Sequence, residues 1–280
     1  MKKTKKCLCR FDSQAEFECS CGCIRLYVPT ERGFVNYNLT HTVRKDANAD
    51  VWRLGQAFGC DENLKGEYPL TRCGAEWDMA VHLDGRDDFI GGFNHGDEIY
   101  YSFALYVDGA LTEPSELSEL KQFTEIKIKT DSVGYDPADH ASKVLLHRKE
   151  YTVNEKGIRL EQNVLWLGDY GIGSSYLAMM PPLKALTDGY YTDISPKIME
   201  ITFGKQEKGV RSATVIGMES GLSYTMSIPQ YPEYENGGIF MITDNNNSPY
   251  NKMYFIVCKK AEVHSGETWE SVTEYTIKLK

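Results

Sequence analysis

Two of the chain's six histidines, His82 and His95, fall within the stretch from Cys73 to Tyr106, which is denser in proton-exchanging groups than any other part of the chain. Glu76, Asp78, Asp84, Arg86, Asp87, Asp88, Asn94, Asp97 and Glu98 surround them. An imidazole titrates near neutrality and can take or give a proton at physiological pH. His95 and His82 are therefore candidate general bases, and the phenols of Tyr100 and Tyr176 are candidate acids. An arginine can hold a carboxylate through two parallel hydrogen bonds, which makes Arg86 and Arg44 candidates for an anionic substrate. His41, Trp77, Asn94 and Glu98 complete the expected substrate-binding set. Cleavage of an acidic glycan by β-elimination needs this inventory: a cation for the uronate carboxylate, a base for the proton beside it, and an acid for the leaving oxygen. A sugar epimerase or mutarotase, with His95 as acid and a carboxylate as base, draws on the same groups. The plainer reading is an acidic hairpin tip, solvated as loops usually are.

The pattern around these residues is that of strands. Trp77, Met79, Val81 and Leu83 alternate with Asp78, Ala80, His82 and Asp84, and Tyr101, Phe103, Leu105 and Val107 alternate again beyond His95. Gly91, Gly92 and Gly96 permit positive φ or a close approach of the backbone to a ligand, so room beside His95 is expected. The rest of the chain repeats the pattern. Strand-like runs bounded by turn residues arrive about every 8–12 residues, as a sandwich requires. Thr124–Thr130, Lys143–Tyr151, Gly157–Trp166 and Ser174–Met180 are examples. One short helix is expected within Leu111–Phe123, with Ser115 as its N-cap. His147 is placed on a strand of alternating exposure, and His140 and His264 in solvated loops. The expected fold is all-β: a large antiparallel β-sandwich or supersandwich with few short helices, in a single domain over residues 1–280.

Composition narrows the partners. The net charge of −9 argues against nucleic acid and against an anionic membrane surface. No apolar run is long enough to span a bilayer. The basic start from Met1 to Lys6 runs through Cys7-Leu8-Cys9 straight into Arg10 and Asp12 with no apolar stretch, so a cytoplasmic location is expected. Five of the eight cysteines lie in the first 23 residues at C-x-C spacing, which differs from the usual C-x₂₋₄-C of zinc sites. They are expected to be small buried thiols, kept reduced, with no metal and no cofactor. Asp84, Asp87 and Asp88 allow an irregular calcium site as the one exception. The 18 tyrosines and 4 tryptophans suit both strands and sugar-stacking surfaces. A carbohydrate is the expected ligand, and a homo-oligomer is compatible with the composition. The chain carries no phosphate loop, dinucleotide fingerprint, zincin helix or nucleophile elbow.

The C-terminal residues Val263, Gly266, Glu267, Thr268, Trp269 and Tyr275 resemble the penultimate strand, turn and final strand that end galactose mutarotase-like proteins, with Ser265 where proline is usual. The resemblance spans roughly a tenth of the chain. It implies a β-supersandwich and carbohydrate chemistry, with two histidines and a late glutamate at the site. The residues available for those roles are His82 or His95, and Glu233 or Glu235 in Y-P-E-Y-E-N-G-G. The same fold also serves non-catalytic carbohydrate-binding domains. A binding or structural β-sandwich of a larger assembly is therefore the alternative from a different class.

Overall fold

Alternating sequence becomes strand almost throughout the computed structural model, which describes residues 5–13, 20–72, 77–92, 94–244 and 247–280. The strands are β1 (Cys7–Asp12), β2 (Ser20–Thr30), β3 (Gly33–Arg44), β4 (Ala49–Cys60), β5 (Tyr68–Pro69), β6 (Ala80–Leu83) and β7 (Phe89–Ile90). They continue as β8 (Glu98–Val107), β9 (Ala110–Leu111), β10 (Lys121–Phe123), β11 (Ile126–Tyr135), β12 (Lys143–Asn154), β13 (Gly157–Trp166) and β14 (Tyr170–Met180). The last are β15 (Gly189–Thr192), β16 (Lys205–Lys208), β17 (Ser212–Gly217), β18 (Leu222–Gln230), β19 (Ile239–Asp244), β20 (Asn251–Val263) and β21 (Thr268–Leu279).

Among the described residues these form two sheets. The larger runs β10-β1-β2-β3-β4-β8-β11-β12-β13-β21-β18-β17-β15, with β5 and β9 attached at its side. The smaller runs β16-β19-β20-β14-β6-β7. The pairings are antiparallel, as the sequence predicts, apart from a short parallel contact of β4 with β8 at Ala49–Glu98 and Asp50–Ile99. One apolar core draws on both sheets, from Leu26, Tyr37 and Leu39 through Val81 and Met180 to Tyr224, Phe255 and Tyr275. Tyr37 closes it, its hydroxyl oxygen accepting from the Ile277 backbone N–H at 3.0 Å.

Three local expectations are corrected or explained. The expected helix is a single 3₁₀ turn, Pro114–Leu117, because Glu113 rather than Ser115 is the N-cap and makes a reciprocal capping box with Glu116. The chain then returns to strand at β10, where Phe123 is buried. The C-terminal turn is held by its own glutamate: Glu267 accepts from the His264 N–H at 3.0 Å and from the Tyr234 hydroxyl at 2.5 Å, and Gly266 takes the positive φ. Of the cysteines, Cys7, Cys9 and Cys23 are buried, and burial pushes their thiols up, to about 11, 11 and 12. Cys21 is exposed, and Cys19 and Cys73 lie outside the described residues.

Charge is buried between the sheets. Lys149 on β12 donates to Asp78 at 2.8 Å and lies 3.3 Å from Glu98, with all three side chains inaccessible to solvent. Glu98 also accepts from Ser132 at 2.5 Å, from the His147 ring at 3.1 Å and from the Gly92 N–H at 3.2 Å. Burial pushes the Glu98 carboxyl up, but Lys149, His147 and Ser132 together overcome it and hold the group well below the usual carboxylate range. A buried ion pair broken on one side leaves an uncompensated charge. Lys149→Met should therefore destabilise the protein by about 3–5 kcal/mol, read by denaturant unfolding. Because the folded-state value of Glu98 is depressed, its contribution is present above the ordinary glutamate range and is lost as pH falls through the depressed value. Stability measured downward from pH 5 should fall in the wild type, and the fall should be smaller in Glu98→Gln.

Candidate functional site

β7 is only two residues long, and its first residue organises the site. The half-buried ring of Phe89 meets His82 with centroids 5.0 Å apart, His95 at 4.7 Å and Tyr176 at 5.9 Å. Three of the four residues expected to be catalytic therefore converge on one aromatic ring. His82 arrives through pairing of β6 with β7, where it stands opposite Phe89. Tyr176 comes from β14, the next strand in the smaller sheet. His95 comes from the turn after β7, closed where the Gly91 N–H donates to Gly96 O at 2.8 Å.

The glycines act differently from the sequence expectation. A Cβ at Gly91 would lie 2.4 Å from Met79 O, and one at Gly96 would lie 1.9 Å from Ala47 O. Both take positive φ so that backbone can pack on backbone. The room they create is filled by protein, and it fixes the turn that carries His95. Gly173 is the glycine that makes space for a side chain at the site. A Cβ there would sit 2.9 Å from His82 Nδ1 and 3.1 Å from Asp84 Oδ1.

His95 Nδ1 lies 2.7 Å from Asp88 Oδ1. A carboxylate can only accept, so Nδ1 is the donor of this bond, and Nε2 is the acceptor nitrogen of the neutral ring. Among the described residues the His82 ring has no hydrogen-bond partner. Burial raises the Tyr176 phenol, against a hydrogen bond from Ser174 that lowers it, so the hydroxyl stays protonated at neutral pH.

The fourth expected catalytic residue, Tyr100, belongs to a second group. It meets His41 edge-on at 5.2 Å, and His41 stacks on Trp52 at 5.1 Å while its Nε2 contacts Asp50 at 2.7 Å. Burial, with help from Asp50, raises the Tyr100 phenol, while a hydrogen bond with Trp52 acts against it. Arg44 is committed to Asp46 at 2.7 Å and to Asn94 O at 3.1 Å, which ties this group to the turn bearing His95. Asn94 is exposed and contributes its carbonyl to that link.

The remaining expected binding residues have other duties. Arg86 grips Asp136 through two bonds of 2.6 and 2.7 Å. Trp77 is buried, with its ring edge-on to Tyr275 at 5.2 Å and its carbonyl accepting from the Tyr275 hydroxyl. Glu98 is the buried partner of Lys149. Asp88 is spent on His95 and on the Phe89 N–H, and Asp84 turns across Gly171 and Gly173. Among the described residues no group of three or more His, Cys, Asp or Glu side chains is placed to hold a metal ion. Glu76 lies outside the described residues. No helix among the described residues is long and apolar enough to cross a membrane.

Sequence reasoning missed Phe89, Asp88 as the partner of His95, and the His41–Asp50 pair. Phe89 was hidden in an apolar run beside two glycines. Asp88 stands seven residues before His95, a spacing that no regular element brings together. His41 and Asp50 meet across the β3–β4 hairpin.

No protein-family model matches the chain, and no curated protein matches it. Solved structures do. An aldose 1-epimerase homologue from Escherichia coli matches with a TM-score of 0.42 and 10% identity, over 91% of this chain and 100% of that one. A galactose mutarotase-like protein from Clostridium acetobutylicum matches with a TM-score of 0.44 and 10% identity, over 92% and 96%. Another from Lactobacillus casei matches with a TM-score of 0.43 and 8% identity, over 90% and 99%. These are proteins of the kind that the C-terminal strand-turn-strand resembles. At such identities and scores the likeness carries no functional argument, which must come from the side chains.

The Gly173 contact gives a direct check of the site. Gly173→Ala should displace the His82 ring while the sheet persists. Histidine ring resonances in NMR should shift for His82 far more than for His41, and the melting temperature should change little.

Proposed function

We propose that the protein acts on a sugar, as an aldose epimerase or mutarotase whose proton-transfer groups are His95 and His82. The observation that supports this most is the convergence of two imidazoles and a phenol on the half-buried ring of Phe89. An aromatic ring offers an apolar face on which the C–H side of a pyranose can lie, while polar groups at its rim reach the hydroxyls. In the neutral ring whose Nδ1 donates to Asp88, His95 Nε2 takes the proton from the anomeric hydroxyl. The O1–H electron pair becomes the C1=O1 double bond, and the C1–O5 bond breaks with its pair on O5. His82, in its protonated form, delivers a proton to O5. Rotation about C1–C2 and the reverse steps close the ring on the other face of the aldehyde. The Tyr176 hydroxyl orients the bound sugar.

Epimerisation is preferred to β-elimination because neither arginine expected to hold a uronate beside the imidazoles is placed to do so: Arg86 is engaged by Asp136, and Arg44 by Asp46 and Asn94 O. A second reading is sugar binding without turnover. The aromatic run supports it, since Tyr176 continues to Tyr254 at 4.8 Å and extends the surface beyond Phe89.

Polarimetry or NMR exchange on a panel of aldoses tests the proposal. His95→Ala should cut the rate of anomer interconversion by about 10²–10⁴-fold with the melting temperature retained. An unsaturated, ultraviolet-absorbing product from an acidic glycan would overturn it in favour of a lyase. Binding on a glycan array with no turnover of any aldose would favour the second reading.

A further inference from the structure

We infer that the sugar carries an oxyanion, a phosphate or a carboxylate, and that Lys208, Lys259 and Lys260 bind it in a cavity adjoining His82. This rests on the sugar reading above and adds the substrate's charge to it. The cavity is about 550 Å³ and is lined by the three lysines with Glu235, Asn236 and Gly173. Gly173 is the residue whose missing side chain makes room for the His82 ring, so the imidazole and the cavity share a wall.

Strand register gives the spacing. Ser174 on β14 stands directly opposite His82 on β6 and directly opposite Lys259 on β20. Directly opposed residues share a face, with their Cβ atoms about 5 Å apart. An imidazole, a hydroxyl and an ammonium therefore form a row across three strands. The row is about 10 Å long between its outer members. That span suits an aldose whose anomeric carbon is at the imidazoles and whose anionic substituent is at the far end of the ring.

The backbone gathers the charge. Successive strand residues point to opposite faces, so Lys259 and Lys260 would ordinarily diverge. Lys260 instead holds a left-handed conformation, φ 52°, and both residues line the cavity. A non-glycine residue in that conformation is an outlier that the surrounding structure must hold in place. Lys208 reaches the same cavity from β16, where its ammonium donates to Glu235 O at 2.7 Å. Lys259 donates to Gln206 at 3.3 Å, which leaves hydrogens on both ammoniums for a ligand. The acids nearby are Glu235 in the lining and Asp84 beside Gly173. Three lysines against one glutamate in the lining of a single cavity oppose the sign of a chain of net charge −9.

Titration calorimetry on the intact protein tests this with glucose 6-phosphate, glucuronate and glucose as probes. At least one of the two anionic sugars should bind more tightly than glucose, and the one that does distinguishes phosphate from carboxylate. The double variant Lys259→Gln/Lys260→Gln should weaken that sugar by about 10–100-fold and leave glucose unchanged. Glu235→Gln should tighten it. Equal affinity for all three sugars, or an unchanged affinity in the double variant, would overturn the inference. Calorimetry does not depend on turnover, so its failure is distinct from failure of the epimerase reading. An active enzyme indifferent to the lysines sinks only the oxyanion subsite. Lysine-dependent binding of an anionic sugar with no turnover sinks only the epimerase.

Discussion

A single buried ammonium holds the two sheets in register. Lys149 belongs to the larger sheet, and Asp78 belongs to the segment that leads into β6 of the smaller one. The attraction between them is strong because neither can turn to water, and for the same reason it cannot be loosened gradually. Glu98 extends the constraint. It lies against Lys149 and also accepts the Gly92 N–H from the turn that carries His95. Met79 O abuts Gly91 in that same turn. The position of His95 over Phe89 is therefore set from beneath by buried charges, while its orientation is set at the surface by Asp88.

Period-two alternation made the strands legible, because one face of each is buried and a one-residue slip would turn every apolar side chain outward. Lys143–Tyr151 and Gly157–Trp166 lie within β12 and β13 for that reason. Where polar residues face inward the rule says less. His147 lies on a strand of alternating exposure, as expected, but it and Lys149 take the buried positions around the exposed Arg148, where they join an ion network. Alternation reports which residues share a face. Which face meets water depends on partners that lie far away in sequence.

The site was legible in its residue types and only partly in its membership. His82 and His95 are near in sequence, and the short β6–β7 pairing brings them to one ring. Tyr176 had no sequence link to them, and it joins through the β14–β6 register. Tyr100 shares the central stretch, yet β8 belongs to the other sheet, so its phenol faces His41 and Trp52. Trp77 and Glu98 were attractive because large aromatics and carboxylates bind sugars. Beside a core tyrosine and a buried lysine, those same properties serve cohesion.

β14 joins the two halves of the site. It lies between β6, which brings His82, and β20, which brings Lys259 and Lys260. Gly171 and Gly173 strip side chains from β14 where Asp84 and His82 lie across it, and its ladders to both neighbours contain register irregularities. Between the imidazole and ammonium groups β14 presents only the small Ser174 side chain and the bare Gly173. A strand bared by glycine and re-aimed by irregular pairing lets groups from both neighbours face one ligand. β14 thus carries the polar row from His82 through Ser174 to Lys259, and the buried Lys149–Asp78 pair ties the segment that leads into β6 to the larger sheet.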